Sequence, residues 1–237
     1  MTFRIATYNV HKCKGIDWRV SSARVAGVIH NLEADIVATQ EILLSQAEDI
    51  SKRIGMPFLF GAARQHAGEP YGNAIFTGFP VKSHMSHEIT VPGREPRQCL
   101  HASLSSPAGI GVHFFVVHLG TSYMERRKQV RHLVSEGILH SHGINTHRIV
   151  VGDFNEWTRG LTSRLLSEHL ESADIAIHLK RRRTYPGIFP LLHLDHIYYD
   201  RDFELHDMRL HRTKLSFLAS DHLPLVATFS AVPRLSS

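Results

Sequence analysis

Long apolar runs are missing from this chain. Nothing approaches about 18 consecutive apolar residues, so no membrane-spanning helix is expected. Cysteine is scarce: Cys13 and Cys99 are the only two in 237 residues. They are too few to frame a disulfide scaffold and lack metal-ligand spacing, so reduced thiols are expected. No charged stretch, apolar core and small-residue cleavage site open the sequence. Met1-Thr-Phe-Arg-Ile instead enters a strand-like run directly, and the cytoplasm is the expected location. Linkers, fixed-period repeats and low-complexity tracts are absent as well, so residues 1–237 are expected to form a single domain.

The remaining composition is that of a folded globular protein, 43% hydrophobic and 21% charged. The 27 Lys and Arg outweigh 22 Asp and Glu, giving a net charge of +5. That balance favours anionic partners such as nucleic acid, phospholipid headgroups or small phosphates. Histidine is abundant, at 19. Positions such as His140, His142, His147 and His206 share no spacing, so most are expected at the surface and only two or three in chemistry.

Short strand-like segments dominate, at 3–10, 35–41, 58–64, 71–77, 82–91, 98–106, 110–119, 147–153, 172–178, 194–200, 203–211 and 222–230. Continuous apolar runs such as Gly111-Val-His-Phe-Phe-Val-Val predict strands buried on both faces. The alternation in Cys99-Leu-His-Ala-Ser-Leu predicts a strand with one polar side. Four helices are expected. One is capped by Ser21 or Ser22 with Val25, Val28, Ile29 and Leu32 inward, and one is capped by Ser45 with Ile50 and Ile54 inward. The others cover 124–139, with Val130, Leu133, Val134 and Ile138 as its stripe, and 161–170. Many strands and few helices around buried runs suit two packed sheets with helices outside. The basic run Lys180-Arg-Arg-Arg183 reads as a solvated loop or a substrate-binding patch.

Polar residues recur where the apolar runs end: Asn9 after Ile5-Ala-Thr-Tyr, Gln40-Glu41 after Ile36-Val-Ala-Thr, and His118 after Phe114-Phe-Val-Val. Asp153 and Asn155 follow Ile149-Val-Val-Gly, Asp195 opens Asp195-His-Ile, and Asp221-His222 precede Leu-Pro-Leu-Val. Strand ends meet at the rim of a sheet, so these side chains can converge on one cleft. Carboxylates, amides and imidazoles in one cleft suit a hard divalent cation and a phosphate ester. A carboxylate such as Glu41 at the end of an apolar strand is costly unless solvated or cation-bound. Mg²⁺ needs only one or two protein carboxylates, so Asn9, Glu41 and Asp221 suffice as ligands. Asp153 with Asn155 can orient an attacking water and hold a phosphoryl oxygen. Asp195 can fix the tautomer of a neighbouring histidine and raise its basicity. Singly, each has an ordinary structural explanation as a cap, turn or exposed terminus; six coinciding at strand ends do not.

Taken together and in this order, from Thr7-Tyr-Asn9-Val to Ser220-Asp-His222-Leu-Pro, these motifs resemble the endonuclease/exonuclease/phosphatase superfamily over nearly the whole chain. The resemblance implies an α/β fold, a four-layer α/β/β/α sandwich, and hydrolysis of a phosphate ester assisted by Mg²⁺ or Mn²⁺. It implies Glu41 as main metal ligand with Asn9 nearby, Asp153 to position or deprotonate the water, and Asn155 on a phosphate oxygen. His222, supported by Asp195, would stabilise the transition state or shuttle a proton, with Asp221 and His118 completing the set. It also implies Arg97 on the substrate side and Tyr71 and Asn73 lining the same cleft. Tyr8-Asn-Val-His-Lys and Asn155-Glu-Trp resemble small bacterial members of that superfamily. Gln40-Glu41 leads into Ile42-Leu-Leu, and Glu156-Trp157 follows Asn155, where apurinic endonucleases carry a Lys-containing run and a small apolar pair. Both departures argue against abasic-site repair.

The leading expectation is a hydrolase of phosphodiesters, with DNA or RNA as one candidate substrate. The alternatives are a phosphoesterase for phospholipid headgroups or small phosphates, and a catalytically silent binding protein of the same fold.

Overall fold

The computed structural model describes residues 2–135, 137–141, 144, 147–156, 160–173 and 194–231. One six-stranded sheet contains β1 (Thr2–Asn9), β2 (Ile36–Leu43), β3 (Phe58–His66), β4 (Glu69–Thr77), β11 (Phe203–Leu210) and β12 (Leu225–Ala231), in the order β11-β12-β1-β2-β4-β3. A second contains β5 (Val81–Glu88), β6 (Gln98–Ser105), β7 (Gly111–His118), β8 (Arg148–Asp153), β9 (Glu171–Ser172) and β10 (Asp195–Tyr199), in the order β5-β6-β7-β8-β10-β9. Each sheet has one parallel pair at its centre, β1 with β2 and β7 with β8, among antiparallel neighbours.

Alternation along the strands builds the layers. On β7, Phe114 and Val116 meet Ile5, Ile36, Ile75 and Phe229 in the core between the sheets. The intervening Phe115 and Val117 pack under α3 (Tyr123–Leu133) and α4 (Leu161–Ser167). On the first sheet, Ala6, Tyr8, Val37 and Phe76 pack under α1 (Ser22–Leu32) and α2 (Leu44–Ile54). A further helix, α5 (Lys214–Ala219), adds Ala219 to that outer layer. The result is the four-layer α/β/β/α sandwich. Both cysteines are buried and free, and no helix among the described residues is long and apolar enough to cross a membrane.

Local details depart from the sequence reading. Ser21 does cap α1, accepting the Arg24 N–H at 3.3 Å, but α2 starts from Leu43 rather than Ser45. Gln46 reaches back to accept the Leu43 N–H at 3.2 Å. The expected helix 124–139 ends at Leu133, after which the chain turns so that Ile138 and Leu139 still reach the core. The helix expected at 161–170 stops at Ser167. Helix α5 was not expected; it is short and capped by Thr213, whose Oγ1 accepts the Ser216 N–H at 3.1 Å. Of the strand expected at 172–178, only Glu171–Ser172 is observed, and 174–178 lie outside the described residues, as do Lys180–Arg183.

Strand β6 alternates as expected, with Leu100, Ala102 and Leu104 in the core between the sheets and His101 and Ser103 on the other face, but that polar face is largely covered. His101 is stacked on Phe115 at 4.2 Å between ring centroids, and its Nε2 lies 3.1 Å from His113 Nδ1. His87 stacks on its other side at 6.0 Å. This places a ladder of imidazoles where surface histidines were expected. Burial, then the nearby charges of His113 and His87, pushes His101 down to about 4. Burial also lowers His87 and His113, with His132, His147, Arg148 and Lys82 adding to it and Asp200 opposing it. The folded state holds these rings neutral, so below about pH 6.5 the unfolded chain binds more protons. Their contribution to stability is present above about pH 6.5 and is lost as pH falls towards that of the folded groups. The melting temperature should therefore drop between pH 7 and pH 5, and the drop should shrink in His101→Leu; an equal drop would place the sensitivity elsewhere.

Candidate active site

The same alternation that builds the inter-sheet core aims the strand ends at one place. Asn9 is in phase with Ile5, His118 with Phe114 and Val116, Asp153 with Ile149 and Val151, and Asp195 with Ile197. All four polar residues therefore fall on the inner faces of their sheets. Registry aligns them laterally: His118 is opposite Asp153 on the parallel pair, and Asp195 is opposite Asp153 on the antiparallel one. Glu41 is one residue out of phase, because Ile36, Ala38 and Gln40 share the inward phase. A β-bulge between Thr39 and Ile42, with Glu41 at φ 55°, brings its carboxyl back to the site.

Gly152 fixes the approach of β8 to β7. Its φ is 144°, and a Cβ there would lie 1.9 Å from the Val117 carbonyl oxygen. Any side chain there would push Asp153 away from His118.

The Asn9 amide spans the cleft between the two sheets. Asn9 Nδ2 donates to Glu41 Oε1 at 3.1 Å and to Asp153 Oδ2 at 3.0 Å, while its Oδ1 accepts the His11 N–H at 3.0 Å. Burial and the neighbouring Glu41 charge raise the Tyr71 hydroxyl, and the Lys12 ammonium lies 3.5 Å from Glu41 Oε2. Burial raises the Glu41 carboxyl, but the charge of His118, the Asn9 bond, Lys12 and His11 outweigh it and hold it at about 2. Burial raises Asp153 above the usual carboxylate range, against the charges of His222 and His118. Asp221 is opposed by burial too, yet the His11 hydrogen bond and the charge of His222 bring it below its ordinary value. Its carboxyl sits 3.3 Å from His11 Nδ1.

The two histidines are held in different states. Arg97 Nη1 lies 2.7 Å from His118 Nδ1. A guanidinium only donates, so Nδ1 accepts and the neutral ring carries its proton on Nε2. That Nε2 faces Glu41 Oε1 and Asp153 Oδ2, each at 3.8 Å. Burial and then Arg97 push His118 down to about 4, so it is neutral at pH 7. His222 is the opposite case. Burial disfavours its charge, but Asp195, hydrogen-bonded to Nδ1 at 3.0 Å, together with Asp153 and Asp221, lifts it to about 10. Its Nε2 lies 3.8 Å from Asp153 Oδ2. A neutral donor and a cationic one thus flank the same carboxyl.

Asn9, Glu41, His118, Asp153, Asp195 and His222 form one connected group, with Asp221 and Tyr71 adjoining it. Asn155, at φ 50°, donates its backbone N–H to Asp153 Oδ1 at 2.8 Å and its Nδ2 to the Leu119 carbonyl at 2.8 Å. Two residues stand apart from the cleft expected of them. Arg97 lies behind His118, its guanidinium shared with Glu95 at 2.7 Å and its side chain 11% exposed. Asn73 is buried between the sheets, donating to the Gln98 and Val116 carbonyls at 3.4 Å each. His11 and Lys12, which the sequence reading did not assign, stand at the site; their one signal was polarity directly after Asn9-Val10.

No three or more His, Cys, Asp or Glu among the described residues form a ready-made metal cage. The carboxylate oxygens of Glu41 and Asp221 suit a hard cation that keeps most of its waters, and the Asn9 oxygen, which here accepts the His11 N–H, is the further oxygen donor nearby.

The sequence profile of the Endonuclease/Exonuclease/phosphatase family matches residues 6–222. The chain is 26% identical over 215 residues to the uncharacterized protein YbhP of Escherichia coli K12, covering 83% of this chain and 84% of that one. Its fold is similar to a functionally unknown conserved protein from Enterococcus faecalis V583, with TM-score 0.80, 19% identity, and 96% and 99% of the two chains covered. It is also similar to the mannosyl-6-phosphatase of Bacteroides thetaiotaomicron VPI-5482, with TM-score 0.79, 18% identity and the same coverage, 96% and 99%.

Proposed function

This chain belongs to the Endonuclease/Exonuclease/phosphatase family, and we propose that it is a divalent-metal-dependent phosphoesterase that hydrolyses a phosphodiester by in-line attack of water. The family consists mostly of hydrolytic phosphoesterases, which generally use divalent metals. The observation that carries the reading is the single amide of Asn9 joining Glu41 on one sheet to Asp153 on the other, at 3.1 and 3.0 Å. Both carboxyls are thereby fixed within reach of one phosphoryl group.

Glu41, with Asn9 and Asp221, would hold Mg²⁺ or Mn²⁺, which supplies charge to the phosphoryl oxygens and lowers the barrier to attack. Asp153 orients the attacking water and takes its proton, an assignment supported by its raised carboxyl, which is a better base than an ordinary one. Asn155 holds Asp153 through its backbone N–H and contributes its side-chain amide beside the phosphate. His222 stabilises the charge that builds on the phosphoryl oxygens, kept cationic by Asp195. His118 donates from Nε2, and Arg97 fixes that tautomer. Tyr71 orients Glu41, and Asn73 ties the two sheets directly below.

Small phosphates are the second reading, favoured by the likeness in fold to a mannosyl-6-phosphatase. The presence together of Asn9, Glu41, His118, Asp153, Asn155, Asp195, Asp221 and His222 disfavours a silent binding protein. Turnover of bis(p-nitrophenyl) phosphate, p-nitrophenyl phosphate, plasmid DNA and phospholipid vesicles, each with Mg²⁺ or Mn²⁺, separates these. The diesters are expected to react fastest. Faster release from the monoester would establish the second reading, and inertness on all four would leave a binding role.

A further inference from the structure

We propose that Lys12 is a substrate-contacting residue whose ammonium takes a non-bridging oxygen of the phosphoryl group, and that a left-handed turn of the backbone exists to hold it there. This rests on the phosphoesterase reading of the same site and adds to it a cation that none of the motifs assigns.

His11, Lys12 and Cys13 follow one another at φ 45°, 56° and 55°. None is glycine. Single L-residues visit this region, but successive ones are rare because each Cβ crowds the next carbonyl. Such a conformation persists only where the surroundings over-determine it, and it clusters at functional sites. Here the surroundings do so on every side. Asn9 Oδ1 accepts the His11 N–H at 3.0 Å, and the Val10 carbonyl accepts the Cys13 N–H at 2.7 Å. Gln46 Nε2 donates to the Lys12 carbonyl at 2.7 Å, the Ser21 N–H bonds the Cys13 carbonyl at 2.8 Å, and the Cys13 side chain is buried.

The turn delivers the Lys12 ammonium to 3.5 Å from Glu41 Oε2 and 5.8 Å from the Tyr71 ring. Glu41 already receives Asn9 Nδ2 at 3.1 Å and has His118 Nε2 at 3.8 Å, both on Oε1, so Lys12 is not its sole partner. Once Glu41 also serves a divalent cation, the ammonium, with three donors, needs an anion. The phosphoryl oxygen is the anion the site brings within reach, and a lysine binds it as a compact point charge. No bond is made or broken by Lys12.

The test uses inorganic phosphate with saturating Mg²⁺, read as the shift in melting temperature, beside kcat and KM for bis(p-nitrophenyl) phosphate. Wild type is expected to be stabilised by phosphate. Lys12→Met should need about tenfold more phosphate, the loss of one charge-assisted bond, and raise KM about tenfold with kcat within a few-fold. Lys12→Arg should recover part of the binding. Lys12→Gly, which accepts positive φ freely, should melt at or above wild type yet lose phosphate binding like Lys12→Met. Phosphate binding by Lys12→Met equal to wild type would overturn the proposal. So would a variant that needs less Mg²⁺ with phosphate binding unchanged, because Lys12 would then be only a counter-ion of Glu41. A wild type that binds no phosphate overturns it whatever its turnover. Lys12-dependent phosphate binding in a protein that cleaves no ester upholds it and sinks the hydrolase reading instead.

Discussion

Asp153→Asn is expected to lower phosphate-ester turnover by about 10³-fold, within the range for loss of a general base, while the melting temperature moves by only a few degrees. Two effects oppose each other in stability. Burial disfavours the ionised carboxyl, so a neutral amide removes that cost. Against this, Asp153 accepts from Asn9 Nδ2 at 3.0 Å and from the Asn155 N–H at 2.8 Å, and an amide can serve one of these donors but turns its own NH₂ towards the other. The net is within about 1 kcal/mol, or roughly 2–4 °C for a chain of this size. Steady-state turnover beside a thermal melt decides it. Near-normal turnover would remove Asp153 from the chemistry, and a collapsed melt would make its role structural.

His222→Ala should be as damaging to turnover and, unlike Asp153→Asn, costly to the fold. Asp195 is fully buried, and its Oδ2 faces His222 Nδ1 at 3.0 Å. Its other oxygen, Oδ1, finds no hydrogen-bond partner among the described residues. Removing the imidazolium strands a buried carboxylate, a change of about 3–5 kcal/mol. Adding Asp195→Ala to His222→Ala removes the stranded charge, so the double variant should regain most of the melting temperature and none of the turnover. Urea unfolding of the two variants against wild type measures this. If the double variant stays as unstable as the single, the His222–Asp195 pair does not act as a compensated charge pair.

Much of the site was legible because two regularities coincide. Asn9, His118, Asp153 and Asp195 each continue the two-residue period of the apolar residues in their own strand, so a reader of the sequence can place them on the inner face. Where the period fails, phase gives no guidance, and Glu41 is legible only from the cost of a carboxylate closing an apolar strand. Glu41 reaches the cleft only through a bulge with a left-handed residue, which nothing in Thr39-Gln-Glu-Ile announces. Lys12 depends on three successive left-handed residues held by contacts from Gln46 and Ser21, distant elements that local propensity cannot see. The family resemblance implied Arg97 on the substrate side, but tertiary packing gives its guanidinium to His118 and Glu95. Helix α5 escaped notice because six residues carry little periodicity and its cap pairs Thr213 with Ser216 rather than with Glu or Gln. The histidine ladder was hidden by the same weakness. His87, His101 and His113 lie on three separate strands, and only registry brings them together.

If strand-end acids gathered from two sheets hold a hard cation for phosphate-ester hydrolysis, as proposed, metal dependence must follow Glu41. Turnover of bis(p-nitrophenyl) phosphate by wild type and Glu41→Gln after stripping with EDTA, followed by titration with Mg²⁺ or Mn²⁺, measures this. Stripping is expected to abolish turnover, either metal to restore it in wild type, and Glu41→Gln to need far more metal to recover a fraction of it. Turnover that survives EDTA, or a Glu41→Gln protein with an unchanged metal requirement, would contradict it.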